Sequence, residues 1–297
     1  MEIGQLGAFC FLDAMPAEES AAFCRRVERL GYQVLWTPEA WGRDPFAHGG
    51  YLLAKTDRLI YATGIANIWA RDPLAMAAAA KTLAEVAEER FILGIGVSHR
   101  SLVEGLRGHT YTKPYSYMSE YIPRMKAAVY RAVAPKTEPP LVIAALHPKM
   151  LALTAREARG TQTYLCLPDH TKRAREVLGP EAWVCPSVIV ILERDAAKAR
   201  ARARQHLSFY ANQQNYQRIL LAQGFTRADF AHGCSDRLVD TLIAWGSEEQ
   251  IRERIDAHLA AGANHVCLMP LRSDHEGLPD ERALAAFAPR GNNAAAR

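Results

Sequence analysis

The chain has 297 residues, 49% of them hydrophobic and 23% charged, with a formal net charge of +4. That length can bury a substantial core, and the composition is that of a soluble globular protein. So small a positive excess argues against a dedicated nucleic-acid surface and suits an enzyme that handles anionic ligands.

Apolar residues switch repeatedly between short runs and helical periods. A first strand is predicted at 3–11. A helix follows at 16–30, with Pro16 near its start, Glu18 and Glu19 in its first turn and Gly31 at its stop. A second strand at 33–37 and a short helix at 45–55 come next. A third strand occupies 59–65, and Asp72-Pro73 opens an Ala-rich helix reaching 89. The fourth strand is at 91–95, and its helix at 116–133 carries Pro123 as a kink. Strand five at 141–145 leads to a helix at 148–159, strand six at 163–167 to one at 169–178, and strand seven at 184–192 to one at 195–210. A last helix at 247–261, stopped by Gly262, leads into strand eight at 265–269.

Eight strands alternating with helices imply parallel pairing, in either a closed barrel or an open doubly wound sheet. The count and length fit a (β/α)8 TIM barrel, usually about 250 residues. No Pro-, Gly- or Ser-rich linker divides the chain, so 1–288 reads as a single domain. The stretch at about 213–240 does not fit one βα unit. It reads as a partly helical insertion after strand seven, covering the barrel mouth or serving as a surface or oligomer contact. Residues 289–297, with Asn292-Asn293-Ala294, read as a frayed tail.

The six cysteines are scattered, with no C-x-x-C pair, which argues against a metal site or a disulfide framework. Neither a secretory signal nor a membrane-length apolar segment is visible, so a cytoplasmic protein is expected. Arg194, Lys198, Arg200, Arg202 and Arg204 are interleaved with alanines and read as a solvated helix face.

In a barrel, functional groups collect where strands end and βα loops begin. After strand two, Trp36, Glu39, Trp41 and Arg43 could hold a flat ring and act on a proton; a Glu39–Arg43 surface pair with packed tryptophans is the alternative. After strand three come Gly64, which permits close backbone approach, and Asn67, which both donates and accepts. Asp72 reads as a helix cap. After strand four, Gly94-Ile95-Gly96 lacks the third glycine of a dinucleotide fingerprint. Ser98 and His99 follow it, and His99 could move a proton near neutral pH. After strands five and six, His147-Pro148-Lys149 and Asp169-His170-Thr171 place polar groups at helix starts, where free N–H groups favour a phosphate. For Asp169 and Thr171, ordinary capping is the alternative.

Taken together, the segments 31–41, 63–73, 90–96, 98–108, 235–238 and 260–266 resemble the luciferase-like monooxygenase superfamily, and more closely its F420-dependent oxidoreductase branch. The resemblance implies a luciferase-like barrel, a homodimer and a small-molecule substrate, with no nucleic acid or membrane. It also implies a non-proline cis peptide at Gly64–Ile65 backing the centre of a deazaflavin ring. Asn67 would hydrogen-bond the cofactor, and Glu39 would stand beside the reactive carbon. The loops carrying Gly96, Ser98, His147, His170 and Thr171 would hold the remainder, including the phosphate tail. The chain departs from its relatives at His147-Pro148-Lys149-Met150, where they often carry Gly-Pro-Lys-Met, and at Trp69, where many have a smaller ring.

The expectation is therefore hydride transfer between coenzyme F420 and a small organic substrate, with Glu39 or His99 handling the proton and Glu104 behind them. Two alternatives keep the fold: an FMN-dependent monooxygenase, and a catalytically silent barrel whose pocket Trp36, Trp41 and Trp69 would block.

Overall fold

The computed structural model describes residues 1–274 and 277–289. Beyond Pro289 the expected tail lies outside the described residues. Eight parallel strands form the barrel: β1 (Leu6–Phe9), β2 (Val34–Thr37), β3 (Ile60–Thr63), β4 (Phe91–Gly96), β5 (Leu141–Ala144), β6 (Gly160–Tyr164), β7 (Trp183–Ile191) and β8 (Val266–Pro270). Each pairs with the next, and β8 pairs with both β7 and β1, which closes the ring.

The strands are apolar on both faces because both faces are covered. Val34, Trp36, Ile60, Ala62, Ile92 and Val142 belong to the cluster filling the barrel. Their neighbours Leu35, Tyr61, Phe91, Leu93 and Ile143 belong to the layer under the helices. The alternation is that of strand geometry, with Leu35 opposite Tyr61 and Trp36 opposite Ala62.

Helices connect the strands much as the spacing predicts. Asp44, Asp72 and Asp195 each accept hydrogen bonds from two N–H groups in the first turn of the helix they precede. At the base of the barrel, Trp36 Nε1 donates to His265 Nε2 at 3.0 Å, and His265 Nδ1 meets the Gly4 carbonyl at 2.7 Å.

Three differences from the sequence reading have local causes. Strand six runs Gly160–Tyr164 rather than 163–167, because Leu165 adopts φ +54 and ends it. Gly160 lies inside the strand, where a Cβ would strike the Trp183 carbonyl. A short helix, Arg100–Val103, follows β4, and a final helix, Glu281–Ala286, docks through the Arg26–Glu281 ion pair at 2.6 Å. Both are too short to show a period.

The stretch after β7 forms helices Gln214–Ala222 and Asp236–Leu242 with a 3-10 segment, Arg227–Gly233, between them. Of the basic run expected on a solvated face, Arg194 and Lys198 are exposed, whereas Arg200 and Arg204 hold this stretch. Arg200 pairs with Asp240 at 2.6 Å and with Asp236, Arg204 pairs with Asp236 and donates to the Cys234 carbonyl, and Arg202 is buried and donates to the Arg272 carbonyl. No helix among the described residues is long and apolar enough to cross a membrane.

Candidate active site

A cavity of about 210 Å3 opens at the C-terminal ends of the strands. Phe9 lines it from β1, Glu39 and Trp41 from the loop after β2, and Gly64 and Ile65 from the turn after β3. Gly96, Ser98 and His99 follow β4, Ala144 and His147 come from β5, and Gln162 and Tyr164 from β6. Its walls are largely apolar with a few convergent polar groups, the usual make-up of a small-molecule site.

The Gly64–Ile65 peptide is cis, as the resemblance implied. Ile65 packs against Gly96, where a Cβ would come within 2.6 Å of the Ile65 side chain. Gly96 therefore serves the site by admitting Ile65. Ser98 lines the cavity with φ +54, a conformation uncommon outside glycine.

Glu39 is nearly buried, its side chain 6% exposed, and its oxygens are taken. Arg71 Nη1 donates to both, at 2.9 and 2.8 Å. The Asn67 N–H donates to Oε2 at 2.8 Å and Arg107 Nη2 to Oε1 at 3.2 Å. The Glu39 N–H in turn donates to the Ile65 carbonyl at 3.2 Å. Glu39 thus ties the loop after β2 to the turn after β3. The alternative Glu39–Arg43 pair is not formed: Arg43 bonds His48 and the Met15 carbonyl.

His99 faces the cavity among Phe209, Tyr210 and Tyr216. Burial drives its pKa down to about 4, opposed by the Asn215 side chain, so the imidazole is neutral at ordinary pH. Its Nδ1 is buried without a protein partner. His147 also lines the cavity, and burial together with the nearby Arg218 charge lowers its pKa. Arg218, on the inserted helix Gln214–Ala222, brings a cation close to His147 at the start of helix Pro148–Glu157.

Three expected cofactor contacts lie outside the lining. The Asn67 Oδ1 accepts from the Trp69 N–H at 3.0 Å. His170 is buried, with Nε2 on the Leu146 carbonyl at 2.8 Å, and the Thr171 hydroxyl is engaged with His258 Nδ1 at 2.8 Å. Glu104 accepts from Arg100 and the Tyr111 N–H, also away from the lining. Of the tryptophans that would block the pocket in the silent-barrel alternative, Trp36 is in the barrel interior and Trp69 stacks on Tyr117 at 4.1 Å; Trp41 alone of the three lines the cavity.

An aromatic wall of the cavity is absent from the sequence-predicted site residues. Tyr164 bonds His206 Nε2 and, at 3.4 Å, the Met269 sulfur. Tyr210 lies 5.0 Å from the Tyr164 ring. Burial pushes the Tyr164 phenol well above its ordinary pKa and takes His206 down to about 3, so both are neutral. Two signals pointed here: Gln162 and Tyr164 share one face of a strand, and His206, Phe209 and Tyr210 share one face of a helix.

The family model for luciferase-like monooxygenases matches residues 4–265. A Mycobacterium tuberculosis protein provisionally named a coenzyme F420-dependent oxidoreductase is 25% identical, over 88% of this chain and 93% of that one. An F420-dependent secondary alcohol dehydrogenase, solved with an F420–acetone adduct, superposes with a TM-score of 0.75 at 16% identity over 97% of both chains. The oxygenating constituent of 3,6-diketocamphane monooxygenase from Pseudomonas putida, solved with FMN, superposes with a TM-score of 0.70 at 13% identity, again over 97% of both. At such identities these two structures speak to the fold.

Proposed function

The chain belongs to the luciferase-like monooxygenase family, and from that premise we propose that it is an F420-dependent oxidoreductase moving a hydride between the deazaflavin and a small organic substrate. The observation that carries the cofactor choice is the likeness, over 88% of this chain, to the provisionally named F420-dependent relative. The residues present fit such a group: the walls are apolar, and a buried imidazole nitrogen, His99 Nδ1, has no partner within the protein.

When bound, the deazaflavin supplies a two-electron hydride acceptor or donor. Ile65 and Gly64 would lie against its ring, and His147 with Arg218 would face its phosphate-bearing tail. His99, neutral and facing the cavity, offers a hydrogen bond to the ring edge or the substrate without adding charge. Glu39 acts by position. With its oxygens already accepting from Arg71, Arg107 and Asn67, it holds the Ile65 turn in place rather than exchanging protons with a substrate.

The FMN-bound monooxygenase of the same fold keeps a second reading in view, reduced FMN reacting with O2. Titrating purified apo-protein with F420 and FMN separately, following tryptophan fluorescence, separates the two. Micromolar F420 binding with FMN at least about tenfold weaker is expected. The reverse order would turn the assignment to the monooxygenase, and binding of neither would remove the enzymatic reading.

A further inference from the structure

A second cavity, of about 370 Å3, adjoins the first between β1, β8 and helix Ala196–Tyr210. Phe9, Phe11, Trp41, Phe209 and Tyr210 line both. The remaining wall is mostly apolar, with Met269, Leu271 and Leu278, and includes no Asp or Glu among the described residues. Arg202 at its edge is engaged by the Arg272 carbonyl and by Gln205. At the partition, Tyr164 lines the first cavity, His206 lines the second, and the two side chains are hydrogen-bonded to each other.

We propose that the two cavities share one substrate, an uncharged molecule with an apolar body and a single hydroxyl or carbonyl oxygen. The body fills the second cavity, and Tyr164 Oη, oriented by His206, binds the oxygen at the partition. This rests on the hydride-transfer reading, in which an alcohol would give a hydride from its carbon to the deazaflavin and its hydroxyl proton to water, and a carbonyl would take both back.

The pair suits both forms. Burial keeps phenol and imidazole uncharged, and a neutral imidazole has one donor and one acceptor nitrogen that can exchange roles. With Nε2 bare, Tyr164 donates to it and the phenolic oxygen is free to accept from an alcohol. With Nε2 protonated, it donates to Oη, and the phenol donates to a carbonyl. Neither state of the pair carries a charge, so a carboxylate or phosphate on the substrate would find Arg202 as the one cation of the second wall among the described residues, and that guanidinium is already engaged by the Arg272 carbonyl and Gln205. Besides His206 the phenol meets the Tyr210 hydroxyl and Met269 Sδ, the latter a weak acceptor that a substrate oxygen displaces at little loss.

Tyr164 is here a substrate-binding group and His206 a positioning residue. The test uses the full chain and three probes: cyclohexanone, cyclohexanol and their oxygen-free analogue methylenecyclohexane. Each is titrated with and without F420, following fluorescence. The oxygenated probes are expected to bind about three- to tenfold tighter than methylenecyclohexane, the worth of one neutral hydrogen bond. Tyr164→Phe removes that preference while leaving methylenecyclohexane and F420 affinities unchanged. His206→Gln, a neutral donor and acceptor, keeps it, and His206→Leu loses it. If Tyr164→Phe does not fold, the two His206 variants decide. No preference in the wild type, a preference surviving in Tyr164→Phe, or equal loss of all three probes overturns the proposal. Failure of F420 to bind alongside an intact oxygen preference would instead sink the cofactor reading alone.

Discussion

Arg71, 32 residues away along the chain, grips both oxygens of Glu39 with a single nitrogen, at 2.9 and 2.8 Å. Its other terminal nitrogen reaches Asp44, the cap of the helix after β2. One guanidinium therefore joins three segments at the mouth of the barrel. Arg71→Ala or Glu39→Ala would leave a partner charge largely buried, and each should cost roughly 3 kcal/mol. Glu39→Gln keeps the shape and should lose less stability but weaken cofactor binding and turnover together. Thermal melts and F420 titrations of the three variants check this; turnover abolished in Glu39→Gln with unchanged F420 affinity would restore Glu39 as an acid–base group.

Buried histidines make the fold acid-sensitive. Burial holds His48, His99, His258 and His265 near pKa 4 and His206 near 3, against an ordinary value of 6.5. Between those values the unfolded chain binds protons that the folded chain refuses, so stability falls as pH drops. The Tm should be flat above pH 6.5, as far as these groups are concerned, and decline from there toward pH 4. A Tm that held steady down to pH 4.5 would contradict these environments.

Adjacent glycines should respond to alanine in opposite directions. In helix Pro45–Leu53, a Cβ on Gly49 would strike the buried Tyr61 ring, whereas one on Gly50 would meet Leu83 Cδ1 at an ordinary 3.6 Å. Gly49→Ala should destabilise by about 1–3 kcal/mol through overpacking. Gly50→Ala should stabilise by up to about 1 kcal/mol from helix propensity. Denaturant melts of both variants give the signs directly.

The clamp on the inserted helices is testable by hydrogen exchange. Asp236 and Asp240 receive Arg200 and Arg204 at partly exposed positions, so each pair contributes modestly. Asp236→Asn with Asp240→Asn should speed exchange across 214–242 and leave β4 to β6 unchanged. Uniform acceleration would mean that the stretch unfolds with the barrel rather than separately.

The architecture was legible because strand runs and helical periods are local signals, and Asp44, Asp72 and Asp195 mark helix starts within a few residues. Placing function at strand ends pointed to Glu39, Gly64, Ser98, His99 and His147, and the family resemblance added Ile65 and Gly96; all of these line the cavity. The partners of Glu39 were not legible, since Arg71 and Arg107 lie 32 and 68 positions away. Strand six was misplaced because Leu165-Cys166-Leu167 is apolar enough to read as a strand, and that displaced attention from Tyr164. His170 and Thr171 read as anion contacts because helix starts look alike in sequence; their hydrogen bonds to Leu146 and His258 depend on packing between distant segments.

Closure of the barrel by β8 has a consequence for synthesis. Until the residues around His265 leave the ribosome, β1 and β7 each present an unpaired strand edge, and Trp36 Nε1 lacks its acceptor. A nascent chain halted near residue 260 would therefore expose two adhesive borders at once, the condition in which β-rich intermediates associate with one another. Strand β8 thus acts as the protein's own guard against aggregation, and cells making this chain would depend on holding it apart from its copies until that strand emerges.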